Sequence, residues 1–118
     1  MRFDTFTMVL LELNPDRPKL DADATAALQD AHMSYLADLH DRGALLACGP
    51  LLGAADRSLH GLSLFASDVE TALQLCESDP AVIAGRYLVV ALPWAVPGGA
   101  MSFRHTRLPR SMADLDDE

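Results

Sequence analysis

Basic residues are scarce in this chain: 9 Lys and Arg stand against 17 Asp and Glu in 118 residues, a formal charge of −8. A protein that grips phosphates needs an electropositive face, so nucleic acid is not expected as a partner and the acidic surface is read as serving solubility. Cysteine is scarcer still, at two residues. Cys48 falls in a predicted strand and Cys76 on the inner face of a predicted helix. With no CxxC pair or Cys/His cluster near either, the sequence offers no disulfide framework and no zinc or other metal site. Long apolar runs are missing too: none approaches the roughly 20 residues that cross a bilayer. The opening MRFDTFTMVLLELN alternates like a strand before any small-residue cleavage site, so the expectation is a cytoplasmic protein with no membrane association. Finally, there is no Ser or Cys in a recognisable nucleophile elbow, no glycine-rich phosphate loop and no dinucleotide fingerprint, and no cofactor is expected.

What is present is one domain's length of chain with half its residues hydrophobic, enough for a single modest core. Phe3 to Leu13 is rich in Val, Leu, Phe and Thr and ends at Asn14-Pro15-Asp16, which predicts a strand and a turn. Ala24 to Leu39 then carries helix formers, with Asp21 or Asp23 available as the cap and Gly43 as the left-handed stop. At roughly 100° per residue, Leu28, His32, Tyr35, Leu36 and Leu39 share one side of this helix while Asp30, Asp38 and Asp41 fall away from it. Ala44 to Leu52 and Leu59 to Ala66 predict two strands joined through the loop 53–58, hence a hairpin. Ser67-Asp68-Val69-Glu70 reads as a capping box with Ser67 as the cap, opening a second helix whose buried stripe is Val69, Ala72, Leu73 and Cys76. That helix stops at Ser78-Asp79-Pro80, and a turn through Ile83-Ala84-Gly85 leads to a fourth strand from Arg86 to Pro93. The order β-α-β-β-α-β is the split βαβ, or ferredoxin-like, α+β arrangement: a four-stranded antiparallel sheet with two helices on one face.

Both faces of the first and fourth strands are apolar. Phe6, Met8 and Leu10 oppose Val9, Leu11 and Leu13, and Leu88, Val90 and Leu92 oppose Tyr87, Val89 and Ala91. Two helices cover one face of such a sheet, so the other needs a partner, and the expectation is a homodimer packed sheet against sheet. The competing arrangement folds the tail across that face. Residues 1–96 read as the domain and 97–118 as a C-terminal extension, partly disordered. It has a flexible exit at Pro97-Gly98-Gly99, a basic stretch at Arg104, Arg107 and Arg110, and an acidic end. Within it, Met101-Ser102-Phe103 either adds a short strand or lies across the partner.

A His on the first helix, a helix ending in Gly43, a strand ending in Gly49-Pro50, a hairpin, and then Asp79-Pro80 followed by Ala84-Gly85 before the last strand resemble the YCII-related family over about residues 5 to 94. The resemblance implies a ferredoxin-like subunit in a dimeric α/β barrel. It also implies that His32 and Asp79 are the active-site pair. Tyr35, one turn after His32, is a further candidate for contact with a small-molecule ligand, and Gly49-Pro50 is read as a turn that lets backbone approach the pocket. Two positions depart from the family: Gln29 stands where an Arg is frequent, which removes an anion-binding group, and Ala81 where an aromatic is frequent.

A carboxylate on one imidazole nitrogen fixes the tautomer and leaves the other nitrogen free to move a proton. Read on its own, His32 is a satisfied core histidine, Asp79 a cap before Pro80, Tyr35 a residue at the core edge, and Gly49-Pro50 a strand terminator. His40, His60 and His105 match no metal spacing and are expected at the surface, and Trp94 is expected to pack at the dimer rim. Three functions stay open. One is a cofactor-independent lyase or isomerase doing isomerisation, dehydrohalogenation-like elimination or hydration. The others are a small-molecule-binding accessory module without catalysis, and a purely structural dimerisation module.

Overall fold

The computed structural model describes residues 1–53 and 58–116. In chain order the elements are β1 (Phe3–Leu13), α1 (Ala22–Asp41), β2 (Leu45–Pro50), β3 (Leu59–Phe65), α2 (Val69–Glu77), α3 (Pro80–Ile83), β4 (Tyr87–Pro97) and a short 3₁₀ helix (Met112–Asp116). The strands form one antiparallel sheet in the order β2-β3-β1-β4, the split βαβ pattern read from the sequence. Among the described residues no helix is long and apolar enough to cross a membrane.

Local chemistry sets the helix ends. The Ala24 N–H donates to the Asp21 carboxylate at 2.7 Å, so Asp21 rather than Asp23 caps α1. At the other end Gly43 takes φ +80°, the left-handed turn that stops the helix. The expected cap of α2 is corrected by one residue. Asp68, not Ser67, accepts the Thr71 N–H (2.9 Å), because α2 begins at Val69 and a cap must sit immediately before the first helical residue. Ser67 instead is tied to β1, its carbonyl accepting the Thr7 hydroxyl at 2.7 Å. The turn expected after α2 winds up into α3, with Pro80 at its first position and Asp79 as its cap.

Thr7, Val9 and Leu11 point from β1 toward the helices and are buried. Val9 and Leu11 join Leu39 of α1, Leu45, Phe65, Ala72, Cys76 and Tyr87 in one core. Burial, with Asp79 and Glu77 adding, pushes the Cys76 thiol up to about 12, so it stays protonated and inert, as a packed hydrophobe should. β4 is longer than its expected end at Pro93: it pairs with β1 over its full length, from Tyr87 opposite Leu13 to Pro97 opposite Phe3. On the far face of the sheet Leu88, Leu92 and Trp94 are exposed. The Phe103 ring sits edge-on to Phe6 there (centroids 5.4 Å, 77°), so the tail reaches one corner of that face and leaves the β4 residues open.

The extension leaves the sheet through a close approach. Gly98 N–H donates to the Arg2 carbonyl at 2.8 Å, and a Cβ at Gly98 would stand 2.9 Å from that oxygen. Met101-Ser102-Phe103 forms no strand. Residues 105–116 then lie back along α1; of the acidic end from 114 to 118, residues 114–116 belong to the 3₁₀ helix and 117 and 118 fall outside the described residues.

Candidate active site

His32 lies on the inner face of α1, and its Nδ1 is 2.6 Å from Asp79 Oδ2. Both are buried, at 4% and 2% exposure. Asp79 is held from the other side by its role as a cap, Oδ1 accepting the Ala81 N–H at 2.9 Å. An ionised carboxylate only accepts, so the His32 Nδ1 carries the proton toward Asp79 and Nε2 is left as the free basic nitrogen.

His32 lines a cavity of about 330 Å³ between α1 and the β2–β3 end of the sheet. This is the lower end of the range typical for small-molecule sites. Gln29, Met33 and Leu36 share its α1 wall, and Cys48, Gly49 and Pro50 border it from β2. Tyr35 does not reach it, which corrects the expected ligand contact. Three residues along a helix is 60° short of a full turn, and that rotation aims Tyr35 at α2, where its hydroxyl donates to the Leu75 carbonyl at 2.6 Å.

A second imidazole enters the cavity wall where none was expected. His60 sits 2.8 Å by its Nε2 from the Tyr87 hydroxyl, and that hydroxyl donates to Gln29 Oε1 at 3.1 Å. The Tyr87 ring is 5.3 Å from the His32 ring and 4.5 Å from the His60 ring, so it joins the two histidines. The cause is a β-bulge. Gly61 pairs with Leu11 and Leu59 with Glu12, which leaves His60 as the extra residue and redirects its side chain. Burial lowers the His60 pKa, with the charges of His32 and Arg86 adding, and keeps the ring neutral. The unfolded chain therefore binds the extra proton, and stability is expected to fall as pH drops below the ordinary histidine value of 6.5. Urea denaturation between about pH 5 and pH 7 should show this slope, flattened in His60→Gln.

His40 is also interior rather than at the surface. Its Nδ1–H donates to the Leu45 carbonyl at 2.7 Å, and Nε2 accepts the Thr106 N–H at 3.0 Å. Only His105 is exposed, stacked on His40 with centroids 5.0 Å apart and bonded to Asp41 at 2.8 Å. Among the described residues no three His, Cys, Asp or Glu side chains converge as metal ligands.

The fold and this site define a ferredoxin-like α+β domain with a buried His–carboxylate pair at an apolar cavity. The chain belongs to the YCII-related domain family, which matches residues 6–94. Among solved structures it is similar to 5-chloro-2-hydroxyhydroquinone dehydrochlorinase from Burkholderia phenoliruptrix AC1100, in complex with 2,5-dihydroxybenzoquinone. The TM-score is 0.55 at 20% identity, over 75% of this chain and 92% of that one, a likeness of fold. No curated protein matches the chain.

Proposed function

We propose that the protein is a cofactor-independent acid–base enzyme of lyase or isomerase type. His32 is the catalytic base and acid, and Asp79 orients it. The observation that carries this reading is the 2.6 Å His32–Asp79 contact, which commits Nδ1 and leaves Nε2 at a cavity. In an elimination, Nε2 takes a proton from the substrate, the electrons of that bond form the new double bond, and the leaving group departs with its own pair. In an isomerisation the imidazolium returns the proton at a different atom. Asp79 stabilises the imidazolium in either case. The fold neighbour is a dehydrochlorinase of a hydroxyhydroquinone, and we take this class of activated, oxygenated ring as the first substrate class to assay. The test is halide release and quinone absorbance with halogenated hydroxyhydroquinones, for the native protein and His32→Gln. Turnover lost in the variant supports the reading. Saturable binding of these rings without turnover of any of them would favour an accessory binding module.

The same reading makes the active form a cytoplasmic homodimer. Leu88, Leu92 and Trp94 are 46%, 47% and 39% exposed on one sheet face, the kind of apolar patch that a second copy buries. Light scattering is expected to give twice the 12.7 kDa chain mass, and Leu92→Lys to give monomers. A native protein that runs as a monomer at all concentrations would remove the dimer from the proposal.

A further inference from the structure

The outer wall of the cavity does not come from the family domain. Leu108, Pro109, Met112 and Leu115 line it, all beyond the matched residues 6–94. This segment is fastened along α1. The Arg110 guanidinium donates to Asp38 at 2.8 Å and to Asp41 at 2.7 Å, His105 bonds Asp41 at 2.8 Å, and the Met112 N–H donates to Asp30 at 2.7 Å. Within the strap the Arg110 N–H donates to Asp114 at 2.8 Å, opening the 3₁₀ helix that turns Met112 and Leu115 to the cavity. The three acids that the helical wheel placed on the outside of α1 are therefore the anchor points of the strap. Asp41 carries the mark of this: the bond from His105, with Arg110 adding, holds its carboxyl below the usual carboxylate range.

The cavity is chemically two-sided. Its polar side chains are Gln29, His32, His60 and Ser63, and among the described lining residues there is no Lys, Arg, Asp or Glu. Opposite them the strap contributes only apolar side chains. Met112 and Leu115 remain 47% and 52% exposed, apolar surface that a bound molecule would cover. A carboxylate or ammonium group entering here would lose its hydration and meet no Lys, Arg, Asp or Glu side chain in the lining to pair with. An uncharged ring would bury its body on the strap and turn an oxygen to His32 and Gln29.

We infer that the C-terminal strap is the specificity element of this site, making the cavity selective for uncharged, ring-sized organic molecules presented with one polar edge to His32. This rests on the proposed function only in taking the His32 cavity as the substrate site, and binding tests it separately from turnover. The probes are p-cresol and its charged counterpart p-toluate, titrated into the full chain and followed by NMR. Saturable p-cresol binding is expected to shift the His32 ring and the Met112 and Leu115 methyl signals, with p-toluate at least tenfold weaker. Met112→Ala with Leu115→Ala should weaken p-cresol at least tenfold. Arg110→Ala, which changes no lining residue, should weaken it similarly by freeing the strap. The inference is overturned if p-cresol does not bind, if p-toluate binds as well, or if the strap variants bind p-cresol like the native chain. A chain that binds as expected but turns nothing over would sink the catalytic reading and leave this one intact.

Discussion

His32→Gln is expected to lower turnover by about 10²- to 10⁴-fold, the usual worth of a positioned acid–base group. The Gln amide can still donate to Asp79, which keeps the buried carboxylate bonded, but it has no basic nitrogen to replace Nε2. Asp79→Asn should cost a similar factor for a different reason. Asp79 uses one oxygen for the Ala81 N–H and the other for His32 Nδ1, and both are acceptor positions. An asparagine supplies one acceptor and one NH₂ group. If its oxygen keeps the Ala81 cap, the NH₂ faces His32, and Nδ1 must become the acceptor. The proton then moves to Nε2, the nitrogen that would otherwise work as the base, the wrong-tautomer effect established for hydrolytic triads. Nitrogen-15 NMR reads this directly: Nδ1 protonated in the native chain, Nε2 protonated in Asp79→Asn. Unchanged turnover in both variants, on a substrate the native protein converts, would refute a His–Asp mechanism.

Asp79→Ala has the largest expected effect on stability, a loss of about 3–5 kcal/mol. The substitution orphans two buried donors at once, the His32 Nδ1–H and the Ala81 N–H, at a position where Asp79 is 2% exposed. Against a total stability of about 5–15 kcal/mol for a domain, that is a large fraction, and the urea midpoint should move accordingly. Most of the loss comes from the unpaired partner rather than from the pair itself. His32→Leu combined with Asp79→Ala is therefore expected to be more stable than Asp79→Ala alone. A double variant no more stable than the single one would show that the cap of α3, and not the imidazole, carries the cost.

Much of the fold was legible from local pattern. Asp21 or Asp23 before a run of helix formers and Gly43 after it bounded α1, and the apolar spacing that turned His32 inward also turned Asp30, Asp38 and Asp41 out. The pairing of His32 with Asp79 was legible only through the family resemblance, since the two are 47 positions apart. The cap at Asp68 was misplaced by one residue, because Ser67 and Asp68 are both good caps and only the tertiary bond from Thr7 to the Ser67 carbonyl separates them.

By itself, then, the sequence determined what depends on neighbours along the chain: the element order, the inner face of α1, the turn residues and the apolar far face of the sheet. Only the tertiary structure decided the composition of the cavity. His60 reaches Tyr87 because a bulge against β1 redirects it, and a bulge is a property of two strands in register, invisible in either alone. His40 is interior because the returning tail brings the Thr106 N–H to it across 66 positions. Arg110 read as one charge in a basic stretch, and it became the clasp of the cavity wall once the chain reversal set it between Asp38 and Asp41. Charges and polar groups far apart in sequence carry no periodic signature, so their partners are settled by where the core places the backbone.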